Sequence, residues 1–348
     1  MQQSDKELAM PYLLQSVFLL TPVISTTFAS AQKLLGDVVR SGIIGTLIVD
    51  EAGQAQPQEA IGTMFRCKKA IIVGDPKQIE PVVTAETDMI KHLMNSEFLS
   101  SYKDKRLSVQ GFADYINPYG TFLGEDEEKE WVGCPLVVHR RCIEPMYSIS
   151  NILSYDGTMK QQTSEPGKEQ VEKFILEQSC WINVRGQENS GNKDHFVKAQ
   201  GEIVLDLLKE KLIKNNGEMK NLFIITPFTS VKNGIKDMIE KSPIYSENVK
   251  NWLKDDNIGT VHTFQGKGTD EVIFLLGCDK KSTTAANWVN KNIVNVAATR
   301  AKFRFYMVGD KDFWTCKPIK TAREIINNII DSEESTDDIC PQCGKKLV

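Results

Sequence analysis

Between residues 43 and 81 the chain alternates apolar runs with short polar breaks: IIGTLIV at 43–49, a helix-compatible link at 55–66, and KAIIV at 69–73. Both runs are short, rich in β-branched residues and without a helical period, which predicts strands buried on both faces. Together with the link they form a βαβ unit, and each strand ends in acidic and turn-forming residues, Asp50-Glu51 and Gly74-Asp75-Pro76-Lys77-Gln78. Upstream, residues 1–20 pattern as a helix or strand lead-in. Residues 23–30 pattern as a strand running into a hydroxyl-rich turn, with a helix at 32–39.

Downstream, 85–100 is helix-compatible and 101–130 is a polar insertion that contains the charge run GEDEEKE at 124–130. A composition break near 118 suggests a domain boundary. Apolar strand patterns resume at 131–138, 171–184, 221–226, 258–261, 271–276 and 303–308. Helical patterns stand between them at 142–153, 198–214 and 287–299. Strands alternating with helices predict a second parallel α/β domain. The expected division is 1–118, 119–330 and a tail at 331–348.

Composition makes this a globular chain: 348 residues, 41% hydrophobic and 25% charged, with a net charge of −4. Such a charge gives no global basic field, so nucleic-acid binding would need a local groove. The apolar stretch at 12–24 is broken by Gln15, Ser16, Thr21 and Pro22, which makes it too short and polar for a membrane span. No membrane partner is expected. Eight scattered cysteines do not form a disulfide framework, and a reducing cytoplasm fits them best.

The candidate chemistry sits at the predicted strand ends, where open α/β sheets bind ligands. Adjacent carboxylates there can divide labour, Asp50 holding Mg²⁺ through its water shell and Glu51 orienting or deprotonating water. A solvated turn is the alternative for the dipeptide alone. Ser25, Thr26, Thr27 and Ser30 can grip phosphates or cap a helix. Arg140 and Arg141 offer guanidinium forks for a phosphate or a salt bridge to the acidic insertion. His262 follows a strand end, where a structural hydrogen-bonding role competes with a functional one. Cys340 and Cys343, in CPQCG, resemble one knuckle of a zinc ribbon, but no second C-x-x-C completes four thiolates, so Zn²⁺ would have half a site.

The ordered set resembles the superfamily 1 helicases of the Upf-like group over roughly residues 20–325. VDEAGQA at 49–55 resembles the Walker B segment, and VGDPKQIEP at 73–81 the motif whose glutamine senses the γ-phosphate. HRRCIEPMYSISN at 139–151 is similar to the family's Tyr-Arg-x-His-Pro segment. TVHTFQGKGTDEVIF at 260–274 is similar to the motif coupling nucleotide to nucleic acid, and NVAATRAK at 295–302 to the final motif with its arginine finger. STTFAS at 25–30 and TPF at 226–228 are similar to nucleic-acid-contacting segments.

The resemblance implies an α/β P-loop NTPase fold, with an incomplete first RecA-like domain and a complete second one, parallel sheets flanked by helices and ATP hydrolysed between them. It assigns catalytic roles to Asp50, Glu51, Gln78, Arg140 and Arg300, and nucleotide contacts to Asp75, Gln265, Gly266 and Gly268. It assigns single-stranded DNA or RNA to Thr26, Thr27, Thr226, Pro227, His262 and Thr263. Two departures qualify it. No G-x-x-x-x-G-K-[ST] loop occurs, so a preceding helicase segment is expected to carry it, and Gly268 stands where relatives commonly have glutamate. A catalytically inactive nucleic-acid-binding or scaffold module is the alternative.

Overall fold

A computed structural model describes residues 3–75, 77–78, 81, 108–123, 130–189, 194–264 and 266–337. The predicted helix at 85–100, Gln265 and the terminal Cys340 and Cys343 lie outside the described residues, as does most of the 124–130 charge run. The described chain separates into two compact units: residues up to Leu123 with 130–135, and residues from Leu136 onward.

The first unit opens on the helix Gln3–Leu20, whose Leu14 packs with Leu35 and Val38. Residues 23–27 do not form the expected strand: Val23 is 80% exposed and the segment has no ladder, so its alternation buries nothing. The helix that follows is Phe28–Leu35, earlier than the pattern at 32–39 suggested. Strands β1 (Ile44–Val49) and β2 (Cys67–Ile72) pair in parallel across the helix Pro57–Phe65, giving the expected βαβ unit. The expected burial on both faces is corrected. Val49 is buried, but Ile48 and Ile71 are 65% and 49% exposed, because among the described residues β1 and β2 pair with each other and with no further strand. The helix Val109–Ile116 carries the antiparallel hairpin of β3 (Gly120–Leu123) and β4 (Glu130–Gly133). The anchor is Asp114, whose Oδ1 accepts from the Gly133 amide at 3.0 Å and from Gln110 Nε2 at 2.9 Å.

The second unit begins with the short parallel pair β5 (Val138–His139) and β6 (Lys160–Gln161) around the helix Met146–Ser154. A four-residue helix, Lys168–Val171, and strand β7 (Cys180–Asn183) then replace the single strand-like passage expected at 171–184. The rest is a five-stranded, all-parallel sheet in the order β7-β11-β10-β8-β9, where β8 is Leu222–Thr226, β9 Ile258–Thr260, β10 Thr269–Leu275 and β11 Ala301–Gly309. Its central strands are the apolar ones, as helices on both faces require. The helix Lys198–Lys214 buries Val204, Leu207 and Leu208 at the expected spacing against Ile224, Ile273 and Val308. The helical pattern at 287–299 resolves into two helices, Thr283–Trp288 and Lys291–Arg300.

One buried polar cluster interrupts this core. Lys211 Nζ pairs with Glu271 and also donates to the Lys173 carbonyl at 3.0 Å. Glu271 Oε1 accepts from the Ile175 amide at 2.7 Å and from the Tyr306 hydroxyl at 2.8 Å. Burial first, and the Glu271 carboxylate second, push the Tyr306 phenol well above its ordinary range, so it remains a donor. Among the described residues no helix is long and apolar enough to cross a membrane.

Candidate functional site

The βαβ unit brings the first set of candidate residues to one edge, because parallel strands present both C-terminal ends together. The Ala52 amide donates to Val73 O at 2.9 Å and the Val73 amide to Val49 O at 2.8 Å, which holds the two strand-end turns side by side. Side chains would not fit there: a Cβ on Gly74 would lie 2.7 Å from the Gly53 nitrogen, and one on Gly53 would lie 2.8 Å from Asp75 O. The glycines thus let the Asp50-Glu51 and Asp75-Gln78 turns touch backbone to backbone.

Within that edge Asp50 is exposed, and its Oδ1 accepts the Glu51 amide at 3.0 Å. Glu51 holds a left-handed backbone, φ 53°, and its Oε2 accepts from Gln54 Nε2 at 3.3 Å. Non-glycine residues in that region carry a cost of about 1–3 kcal/mol and cluster at functional sites. Asp75 is occupied by its own turn, Oδ1 by the Lys77 amide at 2.9 Å and Oδ2 by Gln78 Nε2 at 2.8 Å. At the other end of that glutamine, Gln78 Oε1 is buried and has no hydrogen-bond partner among the described residues. Gln110 Oε1 is in the same condition, 3.0 Å from where a Gly74 Cβ would stand. No sequence signal marked Gln110, since its proximity to Gly74 depends on the packing of the helix Val109–Ile116. The exposed Asp50 carboxylate, with one oxygen on the Glu51 amide, beside the Gln78 and Gln110 amide oxygens is a donor set suited to a hydrated Mg²⁺ and a positioned water.

In the second unit the parallel sheet sorts the remaining candidates onto opposite edges. Thr226, Pro227, His262 and Thr263 lie at the C-terminal ends of β8 and β9, whereas Gly266, Gly268 and Arg300 lie at the N-terminal ends of β10 and β11. Residues 261–268 run from one edge to the other. Arg300 fastens that passage: Nη1 donates to Phe264 O at 3.2 Å and to Lys267 O at 2.9 Å, Nε to Val296 O at 3.1 Å and Nη2 to Thr299 Oγ1 at 3.3 Å. The arginine is 1% exposed, so it is a loop clamp in this conformation.

The other placements divide by exposure. Thr226 is buried and its Oγ1 accepts the Phe228 amide at 3.3 Å, so its hydroxyl serves its own turn, and Pro227 is buried beside it. Thr26 and Thr27 are exposed, and Thr27 occupies the N-cap position of the helix Phe28–Leu35 without a side-chain cap bond. Thr263 Oγ1 lies 3.4 Å from Thr260 Oγ1, and the exposed His262 ring sits 6.4 Å from the Trp288 ring. Trp288, 46% exposed, continues to Phe228 at 5.8 Å, an aromatic run that no motif indicated. Arg140 and Arg141 are exposed at the end of β5, with Arg140 Nη2 donating to Gln162 Oε1 at 3.2 Å. Beside them, His139 Nε2 and Cys142 Sγ are 2.9 Å apart. This is not a nucleophilic dyad. Burial and then Arg141 lower the imidazole, and burial raises the thiol, so both stay neutral.

Family models described as "AAA domain" match residues 3–86 and 126–312. Among curated proteins, the 5'-3' DNA helicase ZGRF1 of Mus musculus is 24% identical over 76% of this chain and 12% of its own length. An uncharacterized ATP-dependent helicase of Methanocaldococcus jannaschii is 21% identical over 83% of this chain and 39% of its own length. Regulator of nonsense transcripts 1 of Dictyostelium discoideum is 22% identical over 78% of this chain and 19% of its own length. The chain therefore spans well under half the length of each of these relatives. A solved arterivirus helicase, nonstructural protein 10 in complex with DNA, is 12% identical with a TM-score of 0.36, over 83% of this chain and 43% of that one. The motif order, the parallel α/β units and the family matches agree, and the chain belongs to the AAA-domain family as a RecA-like superfamily 1 helicase chain of the Upf-like group.

Proposed function

We propose that this chain is part of an ATP-dependent helicase or translocase that moves along single-stranded DNA or RNA, its own residues supplying most of the catalytic side chains. The observation that carries the reading is the edge where Asp50, Glu51 and Gln78 converge, with Gln78 Oε1 left without a partner. Mg·ATP, when bound, supplies the phosphoryl group whose hydrolysis drives movement. Asp50 would hold the hydrated ion, Glu51 would orient and deprotonate the attacking water, and Gln78 Oε1 would fix that water or the γ-phosphate. In the second unit the exposed Arg140, and Arg300 once released from the Phe264 and Lys267 carbonyls, would neutralise charge on a phosphoryl group, with Gln265, Gly266 and Gly268 as further candidate nucleotide contacts.

A G-x-x-x-x-G-K-[ST] loop is absent from the sequence, so turnover needs a complementing segment that carries one. The exposed Ile48 and Ile71 give such a segment an apolar face to cover. In protein complemented in this way, we expect ATP turnover that single-stranded nucleic acid stimulates. Glu51→Gln should lower it by about 10²- to 10⁴-fold, the usual contribution of a general base. Binding of single strands without any turnover would establish the inactive scaffold instead, which the glycine at 268 favours.

Hydroxyls in each unit, Thr26 and Thr27 in the first and Thr263 in the second, are candidate contacts to the strand's phosphates, and affinity falls as salt rises. His262 and Trp288 add a stacking surface. Replacing Trp288 by alanine should weaken single-strand binding by about 1–3 kcal/mol with the salt slope unchanged, as fluorescence anisotropy would read. Six described cysteines are free thiols, which supports a reducing cytoplasmic setting.

A further inference from the structure

Beyond the C-terminal end of β10, three side chains of different chemistry meet at a place the helicase motifs leave unused. Glu188, His195 and Cys278 each offer one ligand atom, and these atoms all lie within 4.8 Å of one another. His195 Nδ1 is 3.4 Å from Glu188 Oε1. Bonds of about 2.0–2.3 Å to a tetrahedral zinc separate neighbouring ligand atoms by roughly 3.3–3.7 Å. The nitrogen–oxygen edge is thus already formed, and the sulfur needs a movement on the order of 1 Å.

The backbone arrangement holds the three residues in place. The Cys278 amide donates to His195 O at 2.8 Å, which ties two of the ligand residues directly. Glu188 pairs with Val197 in an isolated antiparallel bridge, and its amide donates to Asp279 Oδ2 at 3.0 Å. Gly277 and Cys278 are consecutive left-handed residues, φ 68° and 64°. A Cβ on Gly277 would fall 2.4 Å from His195 O, so glycine is needed for that approach. The left-handed turn is what aims Cys278 back at the other two. Strain of this kind in a cysteine persists where surrounding structure over-determines it.

Charge balance points the same way. Glu188 and Asp279 are both largely buried, with side-chain exposure of 12% for Glu188, and among the described residues neither has a lysine or arginine ion pair. The ion-pair partner of Glu188 is His195, which is cationic only when protonated. Lys281 acts on Asp279 and the Asp279 amide donates to Glu188 Oε1 at 3.1 Å, but Glu188 itself faces only His195 as an ion-pair partner among the described residues, and a divalent ion with nitrogen, oxygen and sulfur ligands would add positive charge there.

We propose that Glu188, His195 and Cys278 form a binding site for one zinc-like divalent ion. Asp279 positions Glu188 from outside the ligand set, since its oxygens accept the Glu188 amide and, at 2.8 Å, the Lys281 amide. Solvent fills the fourth position. As the metal–sulfur bond forms, the Cys278 sulfur gives its proton to water, so uptake of one ion releases one proton. The ion would clamp the 188–197 turn onto the end of β10. His195 also stacks on Phe228, with ring centroids 4.6 Å apart, so the clamp would brace the turn that follows Thr226.

Cobalt is the probe, because Co²⁺ bound to a thiolate gains a charge-transfer band that carboxylate or imidazole ligation alone does not give. The test uses the full chain with Cys340→Ser and Cys343→Ser, stripped with a chelator and titrated with Co²⁺. The expected result is one equivalent bound, a thiolate band, displacement by Zn²⁺ and a higher melting temperature with the ion. Cys278→Ser should abolish the band. Since that thiol is buried and its loss could impair folding, Glu188→Gln and His195→Asn serve as second variants. Each should stay folded and bind at least about tenfold more weakly, the minimum seen when even an outer partner is lost. Absence of a thiolate band in the stripped parent, or its full retention in the folded Glu188→Gln and His195→Asn variants, overturns the site.

Discussion

Lys211→Met is expected to cost the second unit about 3–5 kcal/mol, the penalty for removing one member of a buried ion pair. Lys211 and Glu271 side chains are 3% and 0% exposed, so methionine would leave a carboxylate in the core with no cation. Two donors, the Ile175 amide and the Tyr306 hydroxyl, would still face it, which limits but does not remove the cost. Urea unfolding should show a lower midpoint with an unchanged slope, and a melting temperature lower by roughly 10 °C. Lys211→Met combined with Glu271→Leu should recover only part of the loss. The Ile175 amide then loses its acceptor, at about 1–3 kcal/mol for a donor left unsatisfied, whereas the Tyr306 hydroxyl keeps the Leu176 carbonyl at 3.3 Å. A loss below about 1 kcal/mol for the single substitution would mean that the pair is not buried in solution.

Arg300→Lys is expected to reduce ATP turnover about 10³-fold or more in protein complemented with a phosphate loop, as removal of an arginine finger does. The finger role requires that Arg300 leave the Phe264 and Lys267 carbonyls it holds in this conformation, and lysine removes that clamp as well. Lysine keeps the charge but has no planar fork, so it cannot reach the Phe264, Lys267 and Val296 carbonyls together. Those carbonyls hold both ends of the passage that joins the two edges of the sheet, so the His262–Thr263 end would lose its mechanical tie to Gly266 and Gly268. If Arg300 served only as a clamp, melting temperature and nucleic-acid stimulation would fall while basal turnover stayed within about tenfold of the parent. Measuring all three separates the roles, and near-parental basal turnover would sink the finger assignment.

The strand-end chemistry of the first unit was legible because it is local. Apolar β-branched runs at 43–49 and 69–73 formed parallel strands, and the acidic residues after them met at one edge with Gly53 and Gly74 between. The same reasoning overestimated the burial of those strands, since period and composition describe what a strand can bury and not what is present to cover it. At 23–27 alternation suggested a strand where, among the described residues, no neighbour completes a ladder. Thr226 shows the limit for site residues. Its place beside Pro227 suggested a phosphate contact, yet its hydroxyl closes its own turn.

The sequence by itself determined the order of elements, the parallel α/β character and the strand-end placement of Asp50, Glu51 and Gln78, because each follows from short-range periodicity and turn chemistry. Only the tertiary structure decided which distant groups meet. Lys211 and Glu271 are sixty residues apart and pair because a helix crosses β10. Arg300 was read as a finger and is found buried on the carbonyls of 264 and 267, thirty-six and thirty-three residues away. Glu188, His195 and Cys278 share no motif and converge through a left-handed turn and a hairpin bridge. Such contacts depend on how helices and loops are folded back over a sheet, and no local pattern encodes the distance between residues that only the fold makes neighbours.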